Sequence, residues 1–102
     1  MAVLVFVKGE GFTKEMYEKV RKEVNWEHKH ASGAVFHGAS FDKSGTTIRI
    51  ADVWESEEHF NNFAKNRLQP VFEKHKMTPP KFEVFPAYNI NAYASIDKHK
   101  VK

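Results

Sequence analysis

Apolar positions recur along this chain with two periods, and each change of period marks a new element. Every position from Ala2 to Val7 is apolar, which predicts a strand buried on both faces, as the central strand of a covered sheet is. Gly9 and Gly11 end it. Met16, Tyr17, Val20 and Val24 then fall at helical spacing and predict a helix from Lys14 to about His28, with Thr13 as N-cap and Phe12 stapled onto Tyr17. A loop follows from His28 to Gly33. Ala34 to Phe41 and Thr46 to Trp54 read as strands on either side of the turn Asp42-Lys43-Ser44-Gly45, so they are antiparallel neighbours. Ser56 caps a second helix whose stripe runs through Phe60, Phe63, Ala64, Leu68, Val71 and Phe72. Glu57 and Glu58 sit in its first turn, where the helix dipole favours anions. Pro70 lacks an amide hydrogen and clashes one turn back, so it predicts a kink or a restart before the helix ends near His75 or Lys76. Met77-Thr78-Pro79-Pro80 is an extended connector, and Phe82 to Ile90 is the last strand, in which Pro86 predicts an edge position or a bulge.

The order βαββαβ with right-handed crossovers gives an α+β, ferredoxin-like sandwich with both helices on one face of a four-stranded sheet. The first strand carries Leu4 and Phe6 on its other side, and the last carries Phe85 and Ala87. An uncovered face of this kind exposes more contiguous apolar surface than monomers usually tolerate. A second copy of the sheet is the simplest cover, so a homodimer closing a dimeric α/β barrel is expected. Residues 1–90 form one domain. Residues 91–102 make a C-terminal tail with few large apolar residues, anchored by Tyr93 and Ile96 and expected to pack on the partner subunit.

Composition narrows the classes. The 102 residues contain no cysteine, so there is no disulfide framework and no thiolate nucleophile or ligand. The run from Ala2 to Val7 is too short for a signal-peptide core and no stretch approaches a membrane span, so the expectation is a cytoplasmic protein with no membrane partner. The net charge of +3 is spread by interleaving, Lys14, Lys19, Arg21 and Lys22 alternating with Glu15, Glu18 and Glu23, the pattern of a solvated helix face. The RNA-recognition fold shares the element order, but Thr47 to Asp52 lacks the stacking aromatics that module needs on its third strand. No nucleic-acid partner is expected. His28, His30 and His37 lack the spacing of a metal site, and Gly9-Glu10-Gly11 is no nucleotide loop, so neither a metal nor a cofactor is expected.

The run Asp52-Val53-Trp54-Glu55-Ser56-Glu57-Glu58, followed by Phe60, Phe63, Leu68 and Pro70, resembles the antibiotic-biosynthesis-monooxygenase-like (ABM) proteins of the dimeric α/β-barrel superfamily. Gly33-Ala34-Val35-Phe36-His37 and Phe85-Pro86-Ala87-Tyr88-Asn89-Ile90 are similar to a small branch of it. The resemblance implies a homodimer with a cleft between sheet and helices in each subunit. It implies as activities cofactor-independent monooxygenation of aromatic polyketides or quinols, or haem degradation. Haem-degrading members carry an Asn near the end of the first strand and a Trp and a His on the second helix. The corresponding places hold Val7 or Lys8, Phe63 and His75, so haem degradation is not expected.

His37 interrupts an otherwise small or apolar strand, and the hairpin places either Ile50 or Asp52 opposite it. An aspartate there would orient the imidazole as a catalytic base; otherwise His37 is a histidine hydrogen-bonded on a sheet face. Trp54 and Phe63 are candidates to stack on a planar ligand, with His59 and Arg67 on the helical face of Phe63 by four-residue spacing, and Tyr88 at the cleft mouth. For the aromatics, packing in the core is the competing role. The expected function is binding of a small hydrophobic or aromatic molecule by a dimeric barrel, with cofactor-independent monooxygenation through His37. The alternative is a non-catalytic binding or regulatory dimer.

Overall fold

Antiparallel pairing builds one four-stranded sheet in the order β2-β3-β1-β4, from β1 (Val3–Glu10), β2 (Ala34–Phe41), β3 (Thr47–Trp54) and β4 (Lys81–Pro86). The computed structural model describes residues 1–101. β1 is central, as its apolar run predicts, and β4 is an edge strand, where Pro86 ends the ladder without orphaning a partner. The α+β, ferredoxin-like sandwich is therefore the observed fold.

Alternation divides each strand between two faces. Val3, Val5 and Val7 of β1 share the helix-facing side with Ile48, Ile50, Asp52 and Trp54 of β3, because paired positions point the same way. That face meets α1 (Lys14–Val24), and then α2 (Glu57–Phe63), a π-helical turn (Ala64–Leu68) and α3 (Gln69–Lys74). Phe12, Val20, Val24, Ile48 and Val71 form one buried cluster, and Val3, Val5, Trp54 and Phe60 another, with Phe63 packed against both. The opposite face stays open, with Phe6, Phe36 and Phe85 between 40% and 46% exposed.

Several boundaries differ from the sequence reading, each for a local reason. β1 runs through Gly9 to Glu10, since a side chain at Gly9 would come within 2.9 Å of both Phe12 Cβ and Pro80 Cβ, and glycine lets the strand pass under that loop. α1 stops at Val24, four residues before His28, because Asn25 turns left-handed (φ 60°) and donates its N–H to the Arg21 carbonyl. β4 spans Lys81–Pro86 and stops four residues short of Ile90. The tail, despite its few large apolar residues, contains a 3-10 turn at Ala94–His99.

The helical stretch after Ser56 shows how Pro70 is accommodated. An α-helix would place the pyrrolidine ring against the Asn66 carbonyl four residues earlier. The chain widens instead: the Gln69 N–H reaches back five residues to the Ala64 carbonyl, and α3 restarts at Gln69 with Pro70 in its first turn. The end of α3 is tied to α1 where His75 Nε2 meets Glu23 Oε1 at 2.5 Å. That hydrogen bond from His75, with Lys74 nearby, holds the Glu23 carboxyl below the usual carboxylate range.

Candidate active site

The site is assembled by the hairpin register. The turn is fixed by Asp42, whose Oδ1 accepts hydrogen bonds from the Thr46 and Thr47 amides and the Ser44 hydroxyl, while Gly45 takes φ +72°. From that turn the ladder counts back to pair His37 with Asp52, which settles the choice that the sequence leaves open. Both side chains face the helices. His37 Nδ1 lies 2.7 Å from Asp52 Oδ1. A bulge at Val35, between the Ala34–Trp54 and Phe36–Val53 pairs, then bends the start of β2 beside the site.

Asp52 is 9% exposed and fully engaged, for Trp54 Nε1–H, two residues on along the same face of β3, donates to its Oδ2 at 3.2 Å. A carboxylate only accepts, so His37 carries a proton on Nδ1, and in the neutral ring Nε2 carries the lone pair. The Tyr17 hydroxyl of α1 lies 2.7 Å from that Nε2 and donates to it. Burial pushes the Tyr17 phenol well above the usual tyrosine range, keeping it protonated in this role. Tyr17 and His37 have nearly parallel rings, 6° apart, and Trp26 meets the His37 ring edge-on with centroids at 5.3 Å. Four side chains from α1, β2 and β3 thus form one chain of donors and acceptors: Tyr17, His37, Asp52, Trp54.

This chain borders a cavity of about 760 Å³ between the sheet and the helices. Its wall includes Tyr17, Trp26, His37, Trp54, Phe60 and Phe63, and also Ala64, Lys65 and Leu68 of the π turn, so the helical widening itself shapes the pocket. A concave apolar pocket with a few convergent polar groups is the usual form of a small-molecule site. A cavity of this lining suits a flat hydrophobic guest, with the imidazole of His37, held by Asp52, on its wall as a proton acceptor.

Of the residues singled out in the sequence, His37, Trp54 and Phe63 line this cavity. Trp54 is also core, 4% exposed, so packing and lining coincide in one side chain. His59, Arg67 and Tyr88 lie outside the lining. His59 Nδ1 pairs with the cap hydroxyl of Ser56, and its ring covers Gly33, where a Cβ would come within 2.6 Å of it. Arg67 stacks on Phe63 and donates from Nη2 to the Val24 and Lys29 carbonyls, both at 2.8 Å, clamping the exit of α1. Tyr88 is fully exposed beyond the end of β4.

The hairpin pattern missed Tyr17 and Trp26. Tyr17 sits at helical spacing with Met16, Val20 and Val24 and reads as core, yet a buried phenol needs a partner for its hydroxyl. That need is the one signal in the sequence pointing to a polar group beneath α1.

No family model matches the chain, and no curated protein matches it. Solved structures do. A candidate antibiotic biosynthesis monooxygenase from Chloroflexus aurantiacus J-10-fl superposes with a TM-score of 0.64 at 11% identity, over 90% of this chain and 98% of that one. SnoaB, a cofactor-independent oxygenase from Streptomyces nogalater, gives 0.62 at 14% identity over 87% and 94% of the two chains. A conserved protein from Methanosarcina mazei Go1 gives 0.63 at 12% over 83% and 91%. The resemblance carried by residues 52–58 therefore holds at the level of the fold: this chain has the architecture of the ABM-like proteins.

Proposed function

We propose that the chain is an ABM-like, cofactor-independent monooxygenase that works as a homodimer on a small hydrophobic, aromatic molecule. The observation that carries this reading is the His37–Asp52 pair on the wall of an aromatic cavity. An imidazole whose Nδ1–H is held by a carboxylate is fixed in the tautomer and orientation that present Nε2 as a base. Removing a proton from a hydroxyaromatic gives an anion electron-rich enough to reduce dioxygen directly. One oxygen atom then enters the substrate and the other leaves as water, with the electrons supplied by the substrate. Trp54, Phe60 and Phe63 would hold the ring and keep water from the anion. The SnoaB likeness supports the same chemistry, since that protein is a cofactor-independent oxygenase.

The open sheet face supports the dimer. Phe6 and Phe85 lie ring to ring at 6.1 Å and Phe36 stands on the same side, all substantially exposed. Covering them with an identical face takes these exposed aromatic rings out of water. The tail at residues 91–101, with Tyr93 exposed, would extend that contact onto the partner.

Calorimetric titration with 2-naphthol tests the reading. Saturable binding at one site per chain is expected, weakened about tenfold in Phe63→Ala through loss of ring contact. Absence of saturable binding by 2-naphthol and related hydroxyaromatics overturns it.

A further inference from the structure

His37 Nε2 is the atom a base must use, and it is already occupied. An sp2 nitrogen has one lone pair, and here that pair accepts the Tyr17 hydroxyl at 2.7 Å. A substrate in the cavity cannot reach it without displacing Tyr17. The Tyr17 ring is held where it is, packed against Trp26 at 5.7 Å, edge-on to Phe41 at 5.9 Å, and parallel to His37 itself. Tyr17 also lines the cavity, and a phenol oxygen that donates one hydrogen bond still has lone pairs to accept another.

We propose that Tyr17 is the residue that meets the substrate, and that His37 receives the substrate's proton through it. This rests on the monooxygenase reading and adds a catalytic residue to it. The substrate O–H bond breaks as its proton passes to the Tyr17 oxygen, and the Tyr17 O–H bond breaks as its own proton passes to His37 Nε2. The products are a substrate oxyanion and an imidazolium, and Tyr17 is regenerated. In that state the Tyr17 hydroxyl donates to the oxyanion and accepts from Nε2–H, so one group both relays the proton and stabilises the charge. Asp52, held by Trp54, stabilises the imidazolium. Burial, which disfavours a free tyrosinate, keeps Tyr17 a carrier of protons and not a base in its own right.

The test uses 4-nitrophenol, whose phenolate absorbs in the visible and whose neutral form does not. At a pH below the solution pKa of the probe, wild type is expected to bind it and raise the visible band above that of free probe. Tyr17→Phe keeps the ring and its packing, so it should bind the probe with an affinity within about threefold while the ionised fraction falls about tenfold or more. His37→Gln should lose the band too. If Tyr17→Phe ionises the bound probe as well as wild type or better, Tyr17 is only a prop over an available base, and the relay is overturned while the base survives. If wild type binds the probe without ionising it, the relay and the base both fail. If wild type does not bind the probe at all, the cavity reading fails, a result distinct from either.

Discussion

Asp52 Oδ1 and His37 Nδ1 stand 2.7 Å apart across one rung of the β2–β3 hairpin, so the orientation of the imidazole is a consequence of strand register. Asp52→Asn breaks that logic without changing the shape of the side chain. An amide can offer its oxygen to only one of its two donor neighbours, His37 Nδ1–H or Trp54 Nε1–H, and presents N–H groups to the other. The alternative histidine tautomer, with the proton on Nε2, relieves the conflict at His37. Nitrogen-15 spectra of the ring are expected to show Nε2 unprotonated in wild type and protonated in Asp52→Asn. Stability should fall by about 1–3 kcal/mol for the mismatched buried polar group, measured by urea unfolding.

Tyr17 makes stability sensitive to alkali. Its folded-state pKa is raised, by burial first, above the value of about 10 that an unfolded tyrosine has. Below that pH both states hold the proton and the native state keeps its full stability. As pH rises beyond it, the unfolded chain releases the proton while the folded one retains it, and stability is lost progressively. Melting temperatures of wild type and Tyr17→Phe should therefore converge between neutral pH and about pH 11, wild type falling faster. Parallel curves would mean that Tyr17 ionises as easily folded as unfolded.

The paired strands explain what the sequence could reveal. Ile48, Ile50 and Trp54 alternate on β3 and meet the apolar stripe of the helices, so period and order alone lead to the ferredoxin-like sandwich. His37 is a polar break in β2, and the hairpin pattern allows Asp52 or Ile50 as its partner. The choice waited on the Asp42 turn, whose side-chain hydrogen bonds decide the loop length. Tyr17 was hidden because a helical stripe cannot tell a packed ring from a ring that also carries a hydrogen bond. His59 on α2 and Arg67 on the π turn flank Phe63 at four-residue spacing, but their side chains take cap and backbone partners instead of the cavity. Such partners come from the α1 exit and the Gly33 loop, remote segments that periodicity does not locate.

Gly33 carries a steric demand that one substitution exposes. It adopts φ +84°, and a Cβ there would fall 2.3 Å from His59 Cγ. Gly33→Ala therefore strains the backbone and displaces the imidazole from Ser56. A loss of about 3 kcal/mol or more in urea unfolding is expected, against about 1 kcal/mol for Gly11→Ala, where the left-handed φ alone sets the cost. Equal losses would assign the whole effect to the left-handed backbone, since Gly11 also has positive φ but open space around it.

Phe6 and Phe85 stand exposed at the centre of the face that the proposed dimer would cover. Replacing both with lysine puts four charges on the dimer face, two from each chain, and should convert a dimer to a monomer by sedimentation velocity. The hydrogen bonds around His37 lie on the opposite face of the sheet and should persist. A wild-type protein that sediments as a monomer at micromolar concentration would remove the barrel from this account.

The most direct measurement is oxygen uptake with 1,4-dihydroxynaphthalene, read on an oxygen electrode for wild type and His37→Ala at equal concentration. The account predicts that wild type accelerates uptake at least about 100-fold over the spontaneous rate, and that His37→Ala falls back close to it while its melting temperature stays near that of wild type. Uptake by wild type no faster than the spontaneous rate, or equal acceleration by a folded His37→Ala, would contradict it.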